Sequence, residues 1–340
     1  MTILDISDGV LALKDKFKQS KLCPFIGARF SGLLSDSLAV SGFVSMLDRK
    51  IATISSNPLK LENYLLNCCT CSDPATTCLA LKIDFPNAIE LAYAQFRNGS
   101  SVTREDGKKL FAKWLAAETD DIINNASNHS FSAHDIIIHN FRKIYTTNWD
   151  RALELRSARL NKSAKIFTLE IKERARVKSG IKYNIGYAQR EINFPDANGI
   201  SVDLYKLHGC ASNHKTIVGS VHDYSARLGS MSGMKFKIDE DLVSDATTNT
   251  IMFLGYSLAD QNIKFALHHA SSVKSVISRT VPYTPEKHFL VVDDSRIDSP
   301  YAEHLSELYN IVVVNLSIPP SADIIKRREV YTKFLQEITG

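Results

Sequence analysis

The apolar, β-branched run IYTT ends abruptly at Asn148, Trp149 and Asp150. One interpretation is structural: Asp150 caps the next helix, because an aspartate side chain accepts hydrogen bonds from the free amides of a first turn. The other is functional, since open α/β folds bind their ligands at the carboxyl edge of a parallel sheet. An amide and a carboxylate delivered to that edge would orient a polar ligand.

Three further apolar runs end in small or polar residues in the same way. They are followed by GARFS at 27–31, KLHG at 206–209 and GYSLAD at 255–260. One such ending means little, because a histidine beside a strand is more often structural. Four endings in one parallel sheet predict that amide, hydroxyl and imidazole groups meet at the edge where a dinucleotide would lie.

The elements that must position these groups alternate along the chain. Short apolar runs occur at LCPFI, AKIFTLEI, SVDLYK, NTIMFL, KHFLVV and NIVVVN, and helical patterns separate most of them. Strand character also returns at IIIHNFRKIYTTNWD, residues 136–150, and Met1–Ser20 has the pattern of an amphipathic helix. This alternation predicts an α/β fold with a mostly parallel sheet and helices on both faces.

The segment from Gly42 to about Asn140 has a helical pattern instead. Apolar residues recur at spacings of three and four in LENYLLNCCTC, NAIELAYAQFRNG and GKKLFAKWLAAETDDIINNA. We therefore predict a single domain over residues 1–340, with a helical insertion at 45–135 and the remainder of the core at 136–340. The insertion either receives a partner or covers the site as a lid.

Composition argues against several classes of protein. The net charge is only +4 over 340 residues and no block of like charges occurs, so no dedicated nucleic-acid surface is expected. No run of 18 apolar residues is present and the N-terminal segment alternates apolar with charged residues, which predicts a cytoplasmic protein without a membrane span. Six cysteines in such a chain indicate reduced thiols.

A cluster of four cysteines raises the alternative of a zinc site. Cys68, Cys69, Cys71 and Cys78 lie in one short stretch. The stretch has neither paired CxxC spacing nor a neighbouring histidine, which structural zinc sites usually provide. We therefore expect no metal in this protein.

The four strand ends also resemble a known family. GARFS, TTNWD, KLHG and FLGYSLAD, in this order, are similar to the signatures GAGxS, TTNxD, KLHG and GYSLxD of the SIR2-like branch of the sirtuin superfamily. The resemblance extends over essentially the whole chain and includes the stretch IVGSVHDY after KLHG. It implies a Rossmann-like NAD site with a smaller inserted module.

The resemblance implies roles for three candidate catalytic residues. His208 would be the general base that acts on the nicotinamide ribose, because an imidazole takes up protons near neutral pH. Asn148 would hold a water molecule or the ribose hydroxyls, and Asp150 would orient that loop. No metal ligand is implied.

The resemblance also implies a set of cofactor-binding residues. Gly27 and Ala28 would let the backbone approach the pyrophosphate, near Ser31 at the start of a helix that favours the anion. Asp260 would anchor the loop that lines the adenosine half, and Asp293 is a weaker candidate for a ribose contact. The complete set is Gly27, Ala28, Arg29, Ser31, Thr147, Gly209, Gly255, Tyr256, Ser257, Asp260 and Asp293.

The chain departs from the family pattern in two places. Arg29 stands where the family usually has glycine, and its side chain would either crowd the pyrophosphate or neutralise it as a bidentate donor. The four-cysteine zinc module that follows KLHG in protein deacylases is missing, since only Cys210 lies there. Without that module, the resemblance favours plain NAD cleavage over deacylation.

The function implied is an NAD glycohydrolase, with NAD as the substrate and no zinc. Relatives of this kind are typically bacterial anti-phage effectors that deplete NAD. A homo-oligomer with a separate regulatory partner is implied, either a HerA-like ATPase or, as the alternative, a short Argonaute system. Two other functions stay open: an NAD-dependent protein deacylase, and a catalytically silent sensor of NAD or ADP-ribose.

Overall fold

The computed structural model describes residues 3–58, 61, 74–97, 103–173, 185–194, 202–231, 236–258, 260–280, 286–293 and 299–340. Within these residues nine strands form one sheet, in the order β1-β9-β8-β7-β2-β3-β6-β4-β5. The strands are β1 (Ile3–Leu4), β2 (Leu22–Ile26), β3 (Lys143–Thr146), β4 (Ala164–Glu173), β5 (Ile185–Phe194), β6 (Val202–Lys206), β7 (Thr250–Leu254), β8 (His288–Val292) and β9 (Ile311–Asn315). Every neighbouring pair is parallel except β4 and β5.

Helices connect these strands. They are α1 (Ile6–Lys18), α2 (Ala28–Ser31), α3 (Val40–Ile54), α4 (Pro74–Phe96), α5 (Arg104–Asn125), α6 (Ser132–Asn140), α7 (Ala152–Arg159), α8 (Val221–Met231), α9 (Lys237–Thr248), α10 (Gln261–Thr280), α11 (Ser299–Tyr309) and α12 (Ile324–Thr339). Short 3₁₀ turns lie at 36–38, 128–131 and 214–216. Among the described helices, none is long and apolar enough to cross a membrane. The predicted Rossmann-like α/β fold is confirmed.

The central strands are apolar throughout because both faces of the sheet are covered. Successive side chains of a strand point to opposite faces. In β7, Met252 and Leu254 pack into one hydrophobic cluster with residues of α1, α6 and α12. Ile251 and Phe253 pack into another with residues of α9, α10 and α11. A continuous apolar run is therefore the pattern of a strand buried on both sides.

The order of the strands places a crevice at the centre of the sheet. From β2 the chain builds β3 and β6 on one side, and then β7 and β8 on the other. Connections that leave in opposite directions from neighbouring strands open a gap at their carboxyl ends, where such folds bind ligands. All five strands run parallel, so the residues that follow them share that edge.

The strand prediction was wrong for residues 136–140, which end α6 instead. Three consecutive isoleucines favour a strand locally. Here Ala133 and Ile137, one helical turn apart, are fully buried in the cluster that includes α12. Tertiary packing of this helical face overrides the local preference. Two strands were not predicted: β1 is only two residues long, and β5 is the antiparallel partner of β4 at the sheet edge.

A helical module lies between β2 and β3 and consists of α3, α4 and α5. It has its own aromatic core, in which the ring of Phe111 contacts the rings of Phe43, Tyr93 and Trp114. Trp149, from the loop after β3, packs edge-on against Phe111 at a centroid distance of 6.1 Å. The module therefore packs directly against a loop at the carboxyl edge of the sheet.

A buried ion pair also joins the module to the segment after β6. The ammonium of Lys108 in α5 donates to the carbonyl of Ile217 at 2.7 Å and to Oδ1 of Asp223 at 3.0 Å. The side chains of Lys108 and Asp223 are only 2% and 1% exposed. Arg104 adds a second contact, 3.3 Å from the same carboxylate oxygen. Burial opposes ionisation of Asp223, but Lys108 and Arg104 hold the pKa of its carboxyl group below the usual range.

We expect Lys108→Met to lower the free energy of unfolding by about 3 kcal/mol, because removing one partner leaves a buried charge without its main counter-ion. The loss is at the low end of the range for such changes, since Arg104 remains. Urea denaturation measures it. The matched control is Lys109→Met on the exposed face of α5, which should change stability by less than about 0.5 kcal/mol. Equal stabilities of the two variants would contradict the proposed link.

Candidate functional site at the carboxyl edge of the sheet

The loops after β2 and β7 touch through their backbones. The amide of Gly27 donates to the carbonyl of Leu254 at 2.9 Å, and that of Arg29 to the carbonyl of Gly255 at 3.1 Å. A Cβ atom on Gly27 would lie 2.4 Å from the Gly255 oxygen. Gly255 has a φ of +60°, and a Cβ there would lie 2.3 Å from the Phe30 nitrogen. Only glycine fits at both positions, so the backbone itself forms the floor of the crevice.

The side chain of Asn148, in the loop after β3, is held by hydrogen bonds to the segment after β2. Its side-chain amide donates to the carbonyl of Gly27 at 3.1 Å and to the hydroxyl of Ser31 at 2.8 Å. Its backbone amide donates to the hydroxyl of Thr146 at 3.0 Å. The structure thus brings Asn148, Gly27 and Ser31 together at one edge, with Thr147 half-buried beside them.

The helix that follows Gly27 is shorter than the sequence suggested. Ala28, Arg29 and Ser31 belong to α2, which is a single turn of four residues. Few peptide dipoles are aligned in one turn, so this helix offers little of the anion-favouring dipole that we expected. Any phosphate at this point would depend on individual amides and side chains.

Although Arg151 occupies the N-cap position itself, Asp150 supports the start of the next helix, close to what the structural interpretation proposed. Its Oδ1 atom accepts a hydrogen bond at 2.9 Å from the amide of Ala152, the first residue of α7. Its backbone carbonyl accepts from the buried ammonium of Lys206, which also contacts Glu154 at 2.7 Å. These bonds orient the loop that carries Asn148, while the Asp150 side chain itself faces the helix.

His208 is buried in a tight turn after β6 and is only 5% exposed. Its Nε2 atom lies 2.6 Å from Oδ2 of Asp260, and its Nδ1 atom lies 3.4 Å from the hydroxyl of Tyr224. Gly209 has a φ of +80°, and a Cβ there would lie 2.0 Å from the carbonyl oxygen of Thr216. The turn therefore requires glycine at 209 and holds the imidazole between a carboxylate and a phenol.

Asp260 is a charged carboxylate. Burial opposes its ionisation, but His208 and the amides of Asn262 and Ile263 hold the pKa of the carboxyl group below the usual range. It therefore accepts hydrogen bonds only, so a neutral imidazole that donates to it would carry its proton on Nε2 and its lone pair on Nδ1. Burial raises the pKa of Tyr224 well above its ordinary value, with help from Asp260. The phenol thus remains a hydrogen-bond donor.

The sequence predicted Asp260 only as an anchor of its loop. It does serve as one, because Oδ1 accepts from the amide of Asn262 at 2.8 Å at the start of α10. Its contact with His208 was missed, as was Tyr224. The stretch IVGSVHDY contains Tyr224 and was part of the family resemblance, but nothing in the sequence paired it with the histidine.

Two residues of the loop after β7 have different surroundings. The ring of Tyr256 packs against Phe25 and Phe253, with centroids 4.8 and 5.7 Å away, and its hydroxyl is buried. This side chain supports the loop from the core side. Ser257 is half-buried, and its predicted contact with the adenosine half stays a prediction.

Asp293, directly after β8, is enclosed by three side chains. Its Oδ1 atom accepts from the hydroxyl of Tyr331 at 2.8 Å. Its Oδ2 atom lies 3.2 Å from Arg327 and 3.5 Å from Arg29, both measured to Nη1. Arg327 and Tyr331 lie in the last helix and were not predicted as site residues. The predicted ribose contact of Asp293 would have to form beside these existing partners.

No group of three or more histidine, cysteine or acidic side chains that could hold a metal is found in the part of the chain that the structure describes. Cys23 and Cys210 are buried free thiols. The cysteine cluster lies outside the described residues at 68, 69 and 71, and the side chain at position 78 is likewise not described. The expectation that this cluster binds no zinc stays a prediction.

A parallel sheet with glycine-floored loops, an amide and a histidine–aspartate pair at its carboxyl edge defines a Rossmann-like nucleotide-binding protein. A family model described as a SIR2-like domain matches residues 142–314, just over half of the chain. The chain therefore belongs to the SIR2-like family, whose members are NAD-dependent enzymes. The matched range includes Asn148, His208 and Asp260 but not the first signature at 27–31. No curated protein matches the chain.

Proposed function

We propose that this protein is an NAD glycohydrolase, which cleaves the bond between nicotinamide and ribose and transfers the ribose to water. The observation that carries the proposal is the buried pair of His208 and Asp260, on the same sheet edge as Asn148. A histidine that a carboxylate orients at one ring nitrogen is suited to act as a general base through the other. The family assignment supplies NAD as the ligand.

The length of the edge suits an extended dinucleotide. From β6, which carries His208, to β8, which carries Asp293, there are four steps between neighbouring strands. At ~4.8 Å a step, this is roughly 19 Å. The nicotinamide ribose would lie at the end near His208 and Asn148, and the adenosine half would extend past Gly255 towards Asp293.

The residues at the nicotinamide end have separate tasks in the reaction. As nicotinamide leaves with the bonding electrons, positive charge develops on the ribose, and Asn148 holds the attacking water or the ribose hydroxyls in line. The water oxygen bonds to the ribose carbon, and its proton passes to Nδ1 of His208. Asp260 stabilises the imidazolium that forms. Most of the rate enhancement would come from positioning and charge stabilisation.

Nicotinamide release from NAD by the purified chain tests the proposal. We expect His208→Ala and Asn148→Ala to lower the rate at least about a hundredfold, because a base and a positioning group are lost. NAD affinity of the Asn148 variant should stay within a few fold of wild type. The matched controls are His139→Ala and Asn140→Ala on an exposed helix end. Unchanged turnover in the His208 variant would remove the proposed base, and equal losses of binding and turnover would make Asn148 a binding residue.

Substitutions of Asp260 and Tyr224 test which ring nitrogen of His208 takes the proton. Asp260→Asn should lower the rate by roughly a hundredfold or more, since the imidazolium that forms in the reaction loses its counter-charge. Tyr224→Phe should cost less than about tenfold, because its contact with Nδ1 is long. The opposite ranking of these two variants would assign the proton to Nε2 instead.

We further propose that the protein acts as an NAD-depleting effector in bacterial anti-phage defence, as a homo-oligomer controlled by a partner such as a HerA-like ATPase, with a short Argonaute system as the alternative. The motif resemblance supports the role. The helical module supports regulation by a partner, because Lys108 of the module contacts Asp223, and Tyr224, the next residue, contacts His208. A partner that binds the module would thereby change the position of Tyr224 and the orientation of His208.

Light scattering and nicotinamide release, with and without the product of the adjacent gene, test this assembly. We expect an oligomer whose turnover rises when the partner is added. A monomer at micromolar concentration, with full activity and no gain from that partner, would contradict controlled assembly while leaving the glycohydrolase proposal intact.

A further inference from the structure

Among the described side chains, the adenosine end of the edge carries more positive than negative charge. Asp293 has both carboxylate oxygens occupied, one by Tyr331 and the other by Arg327 and Arg29. Two guanidinium groups thus converge on a single oxygen of a residue that is only 4% exposed. One carboxylate neutralises one of the two cations. The described side chains at this point therefore present a net positive charge to a ligand.

This arrangement bears on which dinucleotide is bound. In Rossmann-like sites an unobstructed carboxylate accepts hydrogen bonds from the ribose 2′-hydroxyl of NAD, whereas a nearby arginine accommodates the 2′-phosphate of NADP. Here both oxygens of the carboxylate already contact donors, so it offers less to a ribose hydroxyl. Guanidinium groups bind phosphate oxygens through paired hydrogen bonds. The local chemistry therefore resembles the second situation.

We propose that Arg29 and Arg327 form a binding site for a 2′-phosphate on the adenosine ribose, so that the protein cleaves NADP in preference to NAD. The proposal rests on the proposed function, because it takes a dinucleotide as the ligand and places its adenosine half at β8. It adds a substrate preference and the two residues that set it.

The placement of Arg29 favours this phosphate over the pyrophosphate that all NAD-type ligands share. Its backbone follows β2, yet its side chain extends past the end of β7 to the carboxylate after β8. The side chain is 54% exposed and reaches Asp293 only at 3.5 Å, so its guanidinium is open to a ligand. It is directed towards the adenosine end and away from the centre of the crevice.

Arg327 is held in a fixed orientation for the same task. Its Nε atom donates to the carbonyl of Ala322 at 3.0 Å and one terminal nitrogen to the carbonyl of Pro320 at 3.1 Å. The other terminal nitrogen points to Asp293. A guanidinium oriented by two carbonyls loses little rotamer freedom when it binds an anion, which favours tight recognition.

The kinetic test compares kcat/KM for NADP and NAD in the full chain. We expect the wild type to favour NADP, and Arg29→Ala and Arg327→Ala each to lower the NADP-to-NAD ratio at least tenfold. Arg29→Lys and Arg327→Lys should retain part of it, because a lysine keeps the charge but loses the paired hydrogen bonds. Arg49→Ala, on an exposed position of α3, is the control and should leave the ratio unchanged.

A loss of equal size on both dinucleotides in the Arg29 variant would overturn the proposal, because it would assign Arg29 to the shared pyrophosphate. A wild type that favours NAD would also overturn it. If Arg327→Ala does not fold, the half-exposed Arg29 still decides the matter.

A binding arm separates this proposal from the proposed function. Calorimetry on the His208→Ala chain compares ADP with ADP that carries a 2′-phosphate. We expect tighter binding of the phosphorylated ligand, by at least tenfold, and loss of that difference in the double variant with Arg29→Ala. If neither dinucleotide is cleaved by the wild type, the glycohydrolase proposal fails, while this comparison still tests the 2′-phosphate binding site. Equal affinities for the two ligands would overturn it.

Discussion

The site depends on a backbone contact between the loops after β2 and β7. Gly27 and Gly255 approach so closely that a Cβ atom on either would overlap its neighbour's backbone. This contact sets the position of the Gly27 carbonyl, and that carbonyl in turn accepts from Asn148. It also sets where the β7 loop begins, five residues before Asp260 reaches His208. The groups proposed for binding and for catalysis are therefore aligned through the same pair of glycines.

One buried carboxylate contacts His208 and a second acts on its neighbour Tyr224. Asp260 contacts the imidazole directly, and its negative charge is maintained against burial by the histidine and two amides. Asp223 is one residue from Tyr224 and is neutralised by Lys108 and Arg104 of the helical module. Burying a charged carboxylate costs free energy, and cationic or hydrogen-bonding partners offset this cost at both residues. The helical module consequently neutralises a carboxylate that acts on Tyr224, the phenol beside His208, although the module lies earlier in the chain than the matched family range.

The fold could be predicted largely from local pattern. Strands buried on both faces require unbroken apolar runs, and these are visible in the sequence without knowledge of their partners. The strand prediction failed where local preference and packing disagreed, as at residues 136–140, where Ile137 and Ile138 are buried in the core as part of α6. It also missed β5, which is the antiparallel partner of β4 at the edge of the sheet.

For the site, the sequence by itself determined which polar groups follow each strand, because a parallel sheet brings the carboxyl ends of its strands to one edge. Asn148, Gly27, Ser31 and His208 could be named in this way. Only the tertiary structure decided which groups pair across that edge. Asp260 meets His208 across 52 positions of the chain, and Arg327 of the last helix meets Asp293 across 34. Charged side chains have no periodic pattern that reveals a distant partner, so these contacts exist only once the sheet and its helices have packed.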